Sequence, residues 1–465
     1  MKQLKIMVLS KRKIKRNSLI LTASVITIYL LFSLFFASHY FFHTQINGVN
    51  ISLRTYGNAS RVIRKFTRDY KLVLIERNGV TEELTGTDID LQYIENYLLS
   101  DILRRQNSFF WIRSLWKSNS YSINKLYHYN DTLLAKCLNN LNCFHSNVRL
   151  PQNVSFRYTG KAYEMIKEHY GTKINYDRFM HAVKQTIDTG RTKLDLDKMQ
   201  CYDNPEFTAT SLEAKQAYDL LNKYVSAKIT YRFGTTREAL NGDTIHHWLS
   251  LGRHMEVILS KQKVTAYVRN LCKKYNTVGI TRKFQTTGGE KIELRGGLYG
   301  WKIDSITETE ALYNQIIQGN VTEKEPAYLQ KAFSREGNEI GNTYIEINIT
   351  KQQLWFYKKG KLIAQGLVVT GNPNRGNATV LGVYMLNYKQ KGATLKGPGY
   401  EAGVTYWMPF FGNIGLHDAP WRNRFGGNIY KRIGTHGCVN APKYLAKIIF
   451  ENIDDGTPII VYEES

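Results

Sequence analysis

Apolar and polar residues divide the chain into three differently patterned stretches. From Ser18 to Ala37 an uncharged, largely apolar run of 20 residues has the length of a helix that crosses about 30 Å of hydrocarbon. The middle of the chain alternates short apolar strand patterns with segments of helical periodicity. From Asn342 onward, apolar residues recur at every second position, which is typical of β-strands.

The apolar run predicts a single membrane anchor. Seven Lys or Arg residues and no acid occur in the sixteen residues that begin the chain, so the positive-inside rule places this end in the cytoplasm. The sequence therefore predicts a cytoplasmic tail at 1–17, a transmembrane segment at 18–40 and an extracellular remainder. A cleaved signal peptide is the alternative, but its apolar region is usually about 7–15 residues long.

The middle of the chain contains a repeat. Residues 70–93 and residues 226–251 share an alternating strand, a glycine turn, a second short strand and another glycine turn, about 155 residues apart. Helical spacing is found at 160–171, through Tyr163, Ile166 and Tyr170, and again at 211–228. The sequence predicts two α+β modules, at 41–212 and 213–338.

Both modules resemble peptidoglycan-binding modules of exported Gram-positive wall proteins. The resemblance depends on "INGVNIS" at 46–52 and on "YNT", "RKF" and "GGLYGWKID" within 268–304. It implies binding to peptidoglycan. A plain spacer that holds the last domain away from the membrane explains the same residues.

The last stretch predicts a mostly-β domain at 339–465, a β-sandwich with one helix. Ile345, Ile347 and Ile349 fall on one strand face, with Glu346 and Asn348 on the opposite face. Further short strands are expected in "TVLGVYML", "GVTYWMPFF", "NIGLHDA" and "TPIIVYEE". Only 442–453 has helical spacing, with Pro442 near its first turn.

Charge and cysteine usage narrow the class of protein. The formal charge is +24, and subtracting the seven basic residues of the tail leaves +17, which favours an anionic environment such as anionic wall polymers. No nucleic-acid-binding motif occurs. Five cysteines form no obvious disulfide framework, although Cys137 and Cys143 are close enough to pair. No metal site is expected, the adjacent His246 and His247 included.

The stretch "IGTHGCVNAP" at 433–442 holds a candidate nucleophile, Cys438. A cysteine reacts as its thiolate and needs a base or an electropositive neighbour, and His417 and His436 are available. Gly437 allows a tight turn and close approach of a substrate. The N–H groups of residues 436–438 could converge on one oxygen as an oxyanion hole, and Asn440 could fix the loop or bind substrate. The alternative is a buried, inert thiol.

His417, Thr435, His436, Gly437, Cys438 and Asn440 resemble the L,D-transpeptidase signature of YkuD-type catalytic domains. The resemblance extends to "HDAPW" and "VVTG" and covers about 342–463. With an anchor and two modules before it, the chain is similar to the Gram-positive enterococcal type of this enzyme. One departure is "TVLG" at 379–382, where many members have a Thr-Pro-x-Gly turn.

The resemblance implies an acyltransferase of cell wall biogenesis and cell shape that needs no cofactor. Cys438 would attack the tetrapeptide stem of a donor peptidoglycan, release D-Ala and pass the acyl group to an amine of an acceptor stem, which gives a 3→3 cross-link. Carbapenems would acylate it. The implied roles are a base at His417, ring orientation at Asp418, and loop or substrate contacts at Thr435, His436, Asn440, Tyr406, Trp407, Met408 and Trp421.

Two enzyme classes and one binding function are alternatives. A sortase requires an Arg after its Cys, and no Arg occurs from Val439 to Ser465. A papain-like peptidase places its Cys before its His, and no His follows Cys438. A non-catalytic wall-binding protein would not be acylated by thiol-reactive substrate analogues.

Overall fold

The protein divides into two compact units. A computed structural model describes residues 2–95, 97–397 and 400–464. One unit comprises Met1–Ser155 with Met165–Ser211, and the other comprises Phe156–Glu164 with Leu212–Ser465.

Up to residue 211 the chain forms five α-helices and ten short strands within the described residues. The helices are α1 (Lys2–Phe35), α2 (Tyr56–Arg68), α3 (Tyr97–Arg105), α4 (Asp131–Asn139) and α5 (Tyr176–Asp188), with 3-10 turns at Ser108–Leu115 and Asn142–Phe144 and α6 beginning directly after, at Leu212–Val225. The strands are β1 (Thr44–Ile46), β2 (Val49–Asn50), β3 (Lys71–Ile75), β4 (Thr81–Thr85), β5 (Gln92–Tyr93), β6 (Asn119–Tyr121), β7 (Tyr127–His128), β8 (Ser155–Tyr158), β9 (Tyr163–Ile166) and β10 (Lys193–Asp195).

Helix α2 shows how this unit forms its core. Thr55 caps the helix by accepting a hydrogen bond from the amide of Asn58. Ala59, Ile63 and Thr67, spaced by four residues, lie on one buried face. Its exposed face is basic.

From residue 228 to residue 330 the second unit contains three more helices and nine strands. The helices are α7 (Gly242–Ile245), α8 (Lys261–Tyr275) and α9 (Ser305–Gln318), with a 3-10 turn at His246–Trp248. The strands are β11 (Lys228–Phe233), β12 (Thr236–Leu240), β13 (Leu249–Leu251), β14 (Val257–Leu259), β15 (Arg282–Gln285), β16 (Lys291–Leu294), β17 (Lys302–Ile303), β18 (Val321–Lys324) and β19 (Tyr328–Gln330).

The predicted repeat has the same topology in both copies. In the first, the β3–β4 hairpin follows α2, and β3 also pairs in parallel with β10, which follows α5. In the second, the β11–β12 hairpin follows α6, and β11 pairs in parallel with β18, which follows α9. Each copy is therefore a helix and hairpin closed by a later helix and a parallel strand.

The prediction of a helix at 160–171 is wrong. Residues 155–158 and 163–166 form the two strands of a hairpin instead, β8 and β9, with Gly160 at positive φ in the turn between them. The apolar positions of so short a segment fit both the helical period of about 3.6 residues and the strand period of two, and the glycine in the turn favours a hairpin. The helix expected at 211–228 is present as α6.

The last part of the chain folds into two sheets with a helix. Its strands are β20 (Tyr344–Asn348), β21 (Gln353–Lys358), β22 (Lys361–Leu367), β23 (Gly382–Met385), β24 (Gln390–Gly397), β25 (Tyr400–Phe411), β26 (Ile414–Asp418), β27 (Val439–Ala441) and β28 (Pro458–Tyr462). Five of them form one sheet in the order β22-β21-β20-β28-β23, and four form the other, β24-β25-β26-β27.

The predicted helix is present as α11 (Lys443–Asn452), with Pro442 directly before it and with Leu445 and Ile449 buried. A second, short helix that the pattern did not predict, α10 (Ile429–Ile433), precedes the Cys438 loop. Apolar residues from both sheets and from α11 share one core.

The predicted second module packs directly on the two-sheet domain within the same unit. Phe284, Tyr299 and Trp301 of the module share a buried cluster with Val383 and Ile460. The Tyr299 amide also donates a hydrogen bond of 3.0 Å to the carbonyl of Val383. The two parts therefore share a core.

Candidate active site

Adjacent parallel strands bring His417 and Cys438 to one cavity. His417 lies on β26 opposite Asn440 of β27, and Cys438 immediately precedes β27. This pairing places two residues that are 21 positions apart in sequence on neighbouring strands. A cavity of about 240 Å³ is lined by Leu395, Ala402, His417, Trp421, Arg422, Gly434, Thr435, His436, Cys438 and Asn440.

The turn before Cys438 depends on glycine. Gly437 has φ +116°, and a Cβ there would lie 2.9 Å from the Cδ1 atom of Ile414. A larger residue would therefore meet both backbone strain and a steric clash. The turn is held by Thr435, whose hydroxyl donates to the Cys438 carbonyl at 2.6 Å and accepts from the Gly437 amide at 3.0 Å.

His417 is buried and held in one orientation. Its Nδ1 atom hydrogen-bonds to the backbone carbonyl of Asp418 at 2.9 Å, the contact that the family resemblance implies. This bond puts the proton on Nδ1 and leaves Nε2 as the basic nitrogen. Burial lowers the pKa of His417, and the Asp418 carbonyl bond and charge act in the opposite direction.

The Asp418 carboxylate shapes the site rather than contacting the His417 ring. Its Oδ1 atom accepts hydrogen bonds of 2.8 Å from the amides of Thr405 and Tyr406 on β25. The carboxylate therefore joins β26 to the neighbouring strand, and the backbone carbonyl of Asp418 orients the His417 ring.

The Cys438 side chain is buried, with 9% of the residue exposed. Its thiol donates to the carbonyl of Asn413 at 3.5 Å. Burial raises the pKa of Cys438, while a hydrogen bond from the backbone of Gly415 acts the other way. With the pKa of the thiol raised and that of the histidine lowered, the thiol and the imidazole that line this cavity are both neutral at rest. Such a pair can transfer the thiol proton as the sulfur attacks.

Aromatic residues flank His417. The Trp407 ring centroid lies 5.8 Å from that of His417, and the Trp421 ring centroid lies 6.1 Å from it. Trp407 packs in a small cluster with Cys438, whereas Trp421 is half exposed and lines the cavity.

Two residues expected in the cleft wall lie elsewhere. Met408 is fully buried, and Tyr406 packs on Phe450 in the main core. Successive side chains of β25 point to opposite faces, so Tyr406 and Met408 share the core face while Trp407 points towards the site. The prediction of cleft contacts by Tyr406 and Met408 is wrong.

The structure adds two residues that the signature did not include. Thr379 is buried, and its hydroxyl donates to the Gly437 carbonyl at 2.8 Å and accepts from the Gly371 amide at 2.8 Å. Arg422 lines the cavity and donates to the Ile433 carbonyl at 2.7 Å. In the sequence, Thr379 was noted only as part of the "TVLG" turn, which the signature places outside the catalytic residues. Arg422 directly follows the "HDAPW" run that the resemblance includes, and this position was the available sign of its role.

Protein-family models match both the second module and the two-sheet domain that follows it. The two-sheet domain, with a buried cysteine and a buried histidine at one cavity, has the features of an acyl-transferring enzyme. Residues 342–461 match the YkuD L,D-transpeptidase catalytic domain, and residues 208–345 match a peptidoglycan binding domain. The protein belongs to the L,D-transpeptidases of the YkuD family, with a peptidoglycan-binding domain before the catalytic domain.

Solved structures of similar sequence come from Enterococcus faecium. A cysteine-to-serine mutant of its L,D-transpeptidase is 33% identical, covers 52% of this chain and 97% of its own, and has a TM-score of 0.42. The catalytic domain of that enzyme acylated by ertapenem is 38% identical, covers 26% of this chain and 98% of its own, and has a TM-score of 0.25. A comparison with curated proteins finds no match.

Proposed function

We propose that Cys438 is the nucleophile of a two-step L,D-transpeptidation. Its sulfur attacks the carbonyl of the third residue of a donor tetrapeptide stem, a thioester forms, and the bond to the terminal D-Ala breaks. An acceptor stem's side-chain amine then attacks the thioester, which forms the 3→3 cross-link and returns the thiol. The observation that carries this proposal is the pairing of β26 with β27, which sets Cys438 and an oriented His417 at one cavity.

His417 is the proposed general base and acid. Through Nε2 it takes the Cys438 proton, gives it to the D-Ala amine, and later takes a proton from the acceptor amine. The lowered pKa of His417 keeps the imidazole neutral and therefore able to accept that proton at neutral pH.

The oxyanion is assigned to fewer amides than the signature suggested. The Gly437 amide already donates to the Thr435 hydroxyl, so Gly437 acts through the shape of the turn. The Cys438 amide is the proposed hydrogen-bond donor to the oxyanion that develops on the attacked carbonyl group. His436, which lines the cavity, is proposed to shape the loop rather than to act as base.

Asn440, Trp421 and Arg422 are the proposed substrate contacts. Asn440 is almost fully buried, and its Oδ1 atom has no hydrogen-bond partner among the described residues. An amide N–H of the stem peptide would satisfy that atom. The guanidinium of Arg422 supplies a positive charge for a substrate carboxylate.

A single incubation tests the chemistry. Detergent-solubilised full-length protein is mixed with a disaccharide-tetrapeptide, and the masses of protein and products are followed beside a Cys438→Ala control. The proposal expects a dimer that lacks one D-Ala, made only by the unaltered protein. Dimer formation by the Cys438→Ala variant would show that another residue is the nucleophile.

The N-terminal helix is the proposed membrane anchor, with the catalytic domain outside the cell. The span Lys13–Phe35 is long and apolar enough to cross a bilayer. Its end is built into the fold, since Phe36 is fully buried and the Gln106 side chain donates to the carbonyls of Phe36 and His39 at 2.9 and 2.7 Å. Cleavage of a signal peptide near Ala37 would remove that packing. Intact mass of the protein recovered from a Gram-positive host distinguishes the two cases.

Domain limits and wall contacts complete the proposal. We assign modules to 41–212 and 213–338 and the catalytic domain to 339–465.

The basic face of α2, formed by Arg61, Arg64, Lys65 and Arg68, lines a cleft of about 680 Å³ and is the proposed contact for anionic wall polymers. Pull-down by purified wall that weakens with salt, and weakens further in an Arg61→Gln, Arg64→Gln variant, tests this contact.

A further inference from the structure

An exposed apolar segment follows α3. It comprises residues 108–116, "SFFWIRSLW", most of them in a 3-10 turn. Trp116 is 81% exposed, and Phe109 and Phe110 are more than half exposed. Ile112 and Leu115 are also exposed. Five large apolar side chains within eight positions form a patch of a kind that soluble surfaces rarely present.

This segment lies against the apolar helix. The Tyr29 hydroxyl donates to the carbonyl of Phe109 at 2.7 Å. The buried Trp111 ring stacks on Phe32 and Phe36, with centroid distances of 4.8 and 6.0 Å. Tyr29 and Phe32 both belong to the apolar span Lys13–Phe35.

These contacts fix the depth of the segment if the helix spans a membrane. Tyr29 lies six residues before the helix end at Phe35, which is about 9 Å along the axis at 1.5 Å per residue. The span of 23 residues is about 35 Å long, slightly more than the roughly 30 Å of hydrocarbon. Because its contacts extend from Tyr29 to Phe36, the segment lies along about the last 9 Å of the span, where hydrocarbon gives way to lipid headgroups.

The chemistry of the segment fits that level. Aromatic side chains are enriched at the membrane interface. Arg113 and Lys117 are exposed among them, and no acid occurs from residue 107 to residue 118, so the segment suits anionic headgroups. The guanidinium of Arg113 lies 6.0 Å from the Phe110 ring centroid, so charge and apolar surface are side by side.

We propose that residues 108–116 form a second membrane contact that inserts into the interface of the outer leaflet beside the transmembrane helix. This inference rests on the proposed anchor. Its occupant is a lipid surface, because the patch is continuous with the lipid-facing side of α1. The contact fixes how the first module stands on the membrane, which a single helix with a flexible exit would not do.

Quenching of tryptophan fluorescence by brominated lipids tests the contact. The full-length protein is reconstituted in vesicles of phosphatidylcholine and phosphatidylglycerol that carry bromine either near the headgroup end or at the chain end. Trp116→Phe removes the exposed indole of the patch. Trp421→Phe, which removes a half-exposed indole of the catalytic domain, is the matched control.

We expect stronger quenching by the headgroup-proximal bromine, and loss of roughly half of it in Trp116→Phe, as befits an interfacial aromatic residue. Trp421→Phe should leave the quenched fluorescence unchanged. Equal quenching of wild type and Trp116→Phe would overturn the inference.

An alkaline carbonate wash of the same vesicles separates this inference from the anchor on which it rests. Protein that stays in the membrane while Trp116 is not quenched would overturn only the second contact. Protein that is extracted would overturn both the anchor and the contact.

Discussion

The Oγ1 atom of Thr379 donates a hydrogen bond of 2.8 Å to the carbonyl of Gly437, the residue directly before Cys438. The same hydroxyl accepts from the amide of Gly371, so one buried side chain joins two backbone segments behind the Cys438 turn. The turn that departs from the family's usual Thr-Pro-x-Gly keeps the threonine, whose side chain reaches the Cys438 loop.

Thr379→Val should therefore slow acylation of Cys438. Valine has a similar volume but leaves the Gly437 carbonyl and the Gly371 amide unpaired, which costs about 1–3 kcal/mol for each buried group. We expect the rate of carbapenem acylation, followed by protein mass, to fall roughly tenfold or more. Thr379→Ser keeps the hydroxyl and should retain most of the rate. Equal rates for the valine and serine variants would show that the hydroxyl does not act through the loop.

The pH dependence of Cys438 should reveal a neutral resting pair. Burial raises the pKa of Cys438 above its ordinary 9.0 and lowers that of His417 below 6.5, so between these values the thiol is protonated and the imidazole is neutral. Alkylation by iodoacetamide, measured on the peptide that contains Cys438, should still be rising above pH 9. With His417 as the proposed base, carbapenem acylation should fall only below about pH 6.5. An alkylation rate that is already constant from about pH 6 upward would indicate a thiolate–imidazolium pair instead.

Arg422 should act on substrates that carry a carboxylate. Its guanidinium lines the cavity, and burial lowers its pKa, so a negative partner is favourable there. Arg422→Gln should raise the concentration needed for half-maximal acylation by a carbapenem, about tenfold for a lost charge-assisted hydrogen bond, with little change in the limiting rate.

Arg422→Lys separates charge from loop support. Lysine keeps the charge but lacks the planar fork that also reaches the Ile433 carbonyl, so partial rescue is expected. A fall in limiting rate without a change in half-saturation, in both variants, would show that Arg422 only holds the loop.

The sequence predicted which two residues meet at the cavity better than it predicted what surrounds them. His417 and Cys438 were found because a signature fixes residue types at fixed spacing, and their meeting follows from one parallel strand pair. The positions of Tyr406 and Met408 could not be found this way. Their assignment to core or cleft depends on which face of β25 meets the main core. Because the run at 406–411 is apolar at every position, the sequence pattern does not show which face points inward.

An alternating strand pattern also cannot predict that a neighbouring domain buries the polar face of the strand. Glu346 alternates with Ile345 and Ile347 as a polar face should, yet it is fully buried. The second module covers that face, and Thr287 of the β15–β16 turn donates to the carboxylate through its amide and its hydroxyl. No local periodicity shows which neighbour will cover a strand.

The Glu346 contact leads to a prediction about stability. The carboxylate accepts from Thr287 Oγ1 at 2.6 Å, from the Thr287 amide at 2.9 Å and from the Tyr462 hydroxyl at 2.8 Å. Glu346→Ala removes the acceptor of the buried Tyr462 hydroxyl and of the Thr287 donors, and it opens a cavity between module and catalytic domain. We expect a loss of about 2–4 kcal/mol in the free energy of unfolding of this unit, measured by urea denaturation.

A matched surface variant provides the scale for that loss. Glu293→Ala breaks the exposed ion pair between Glu293, on β16 of the same module, and Arg295, and it should cost less than about 1 kcal/mol. Thr287→Val removes the hydroxyl donor from the other side of the interface, and in combination with Glu346→Ala it should add little, because both changes remove the same contact. Fully additive losses would mean that Glu346 stabilises the catalytic domain alone, without holding the module to it.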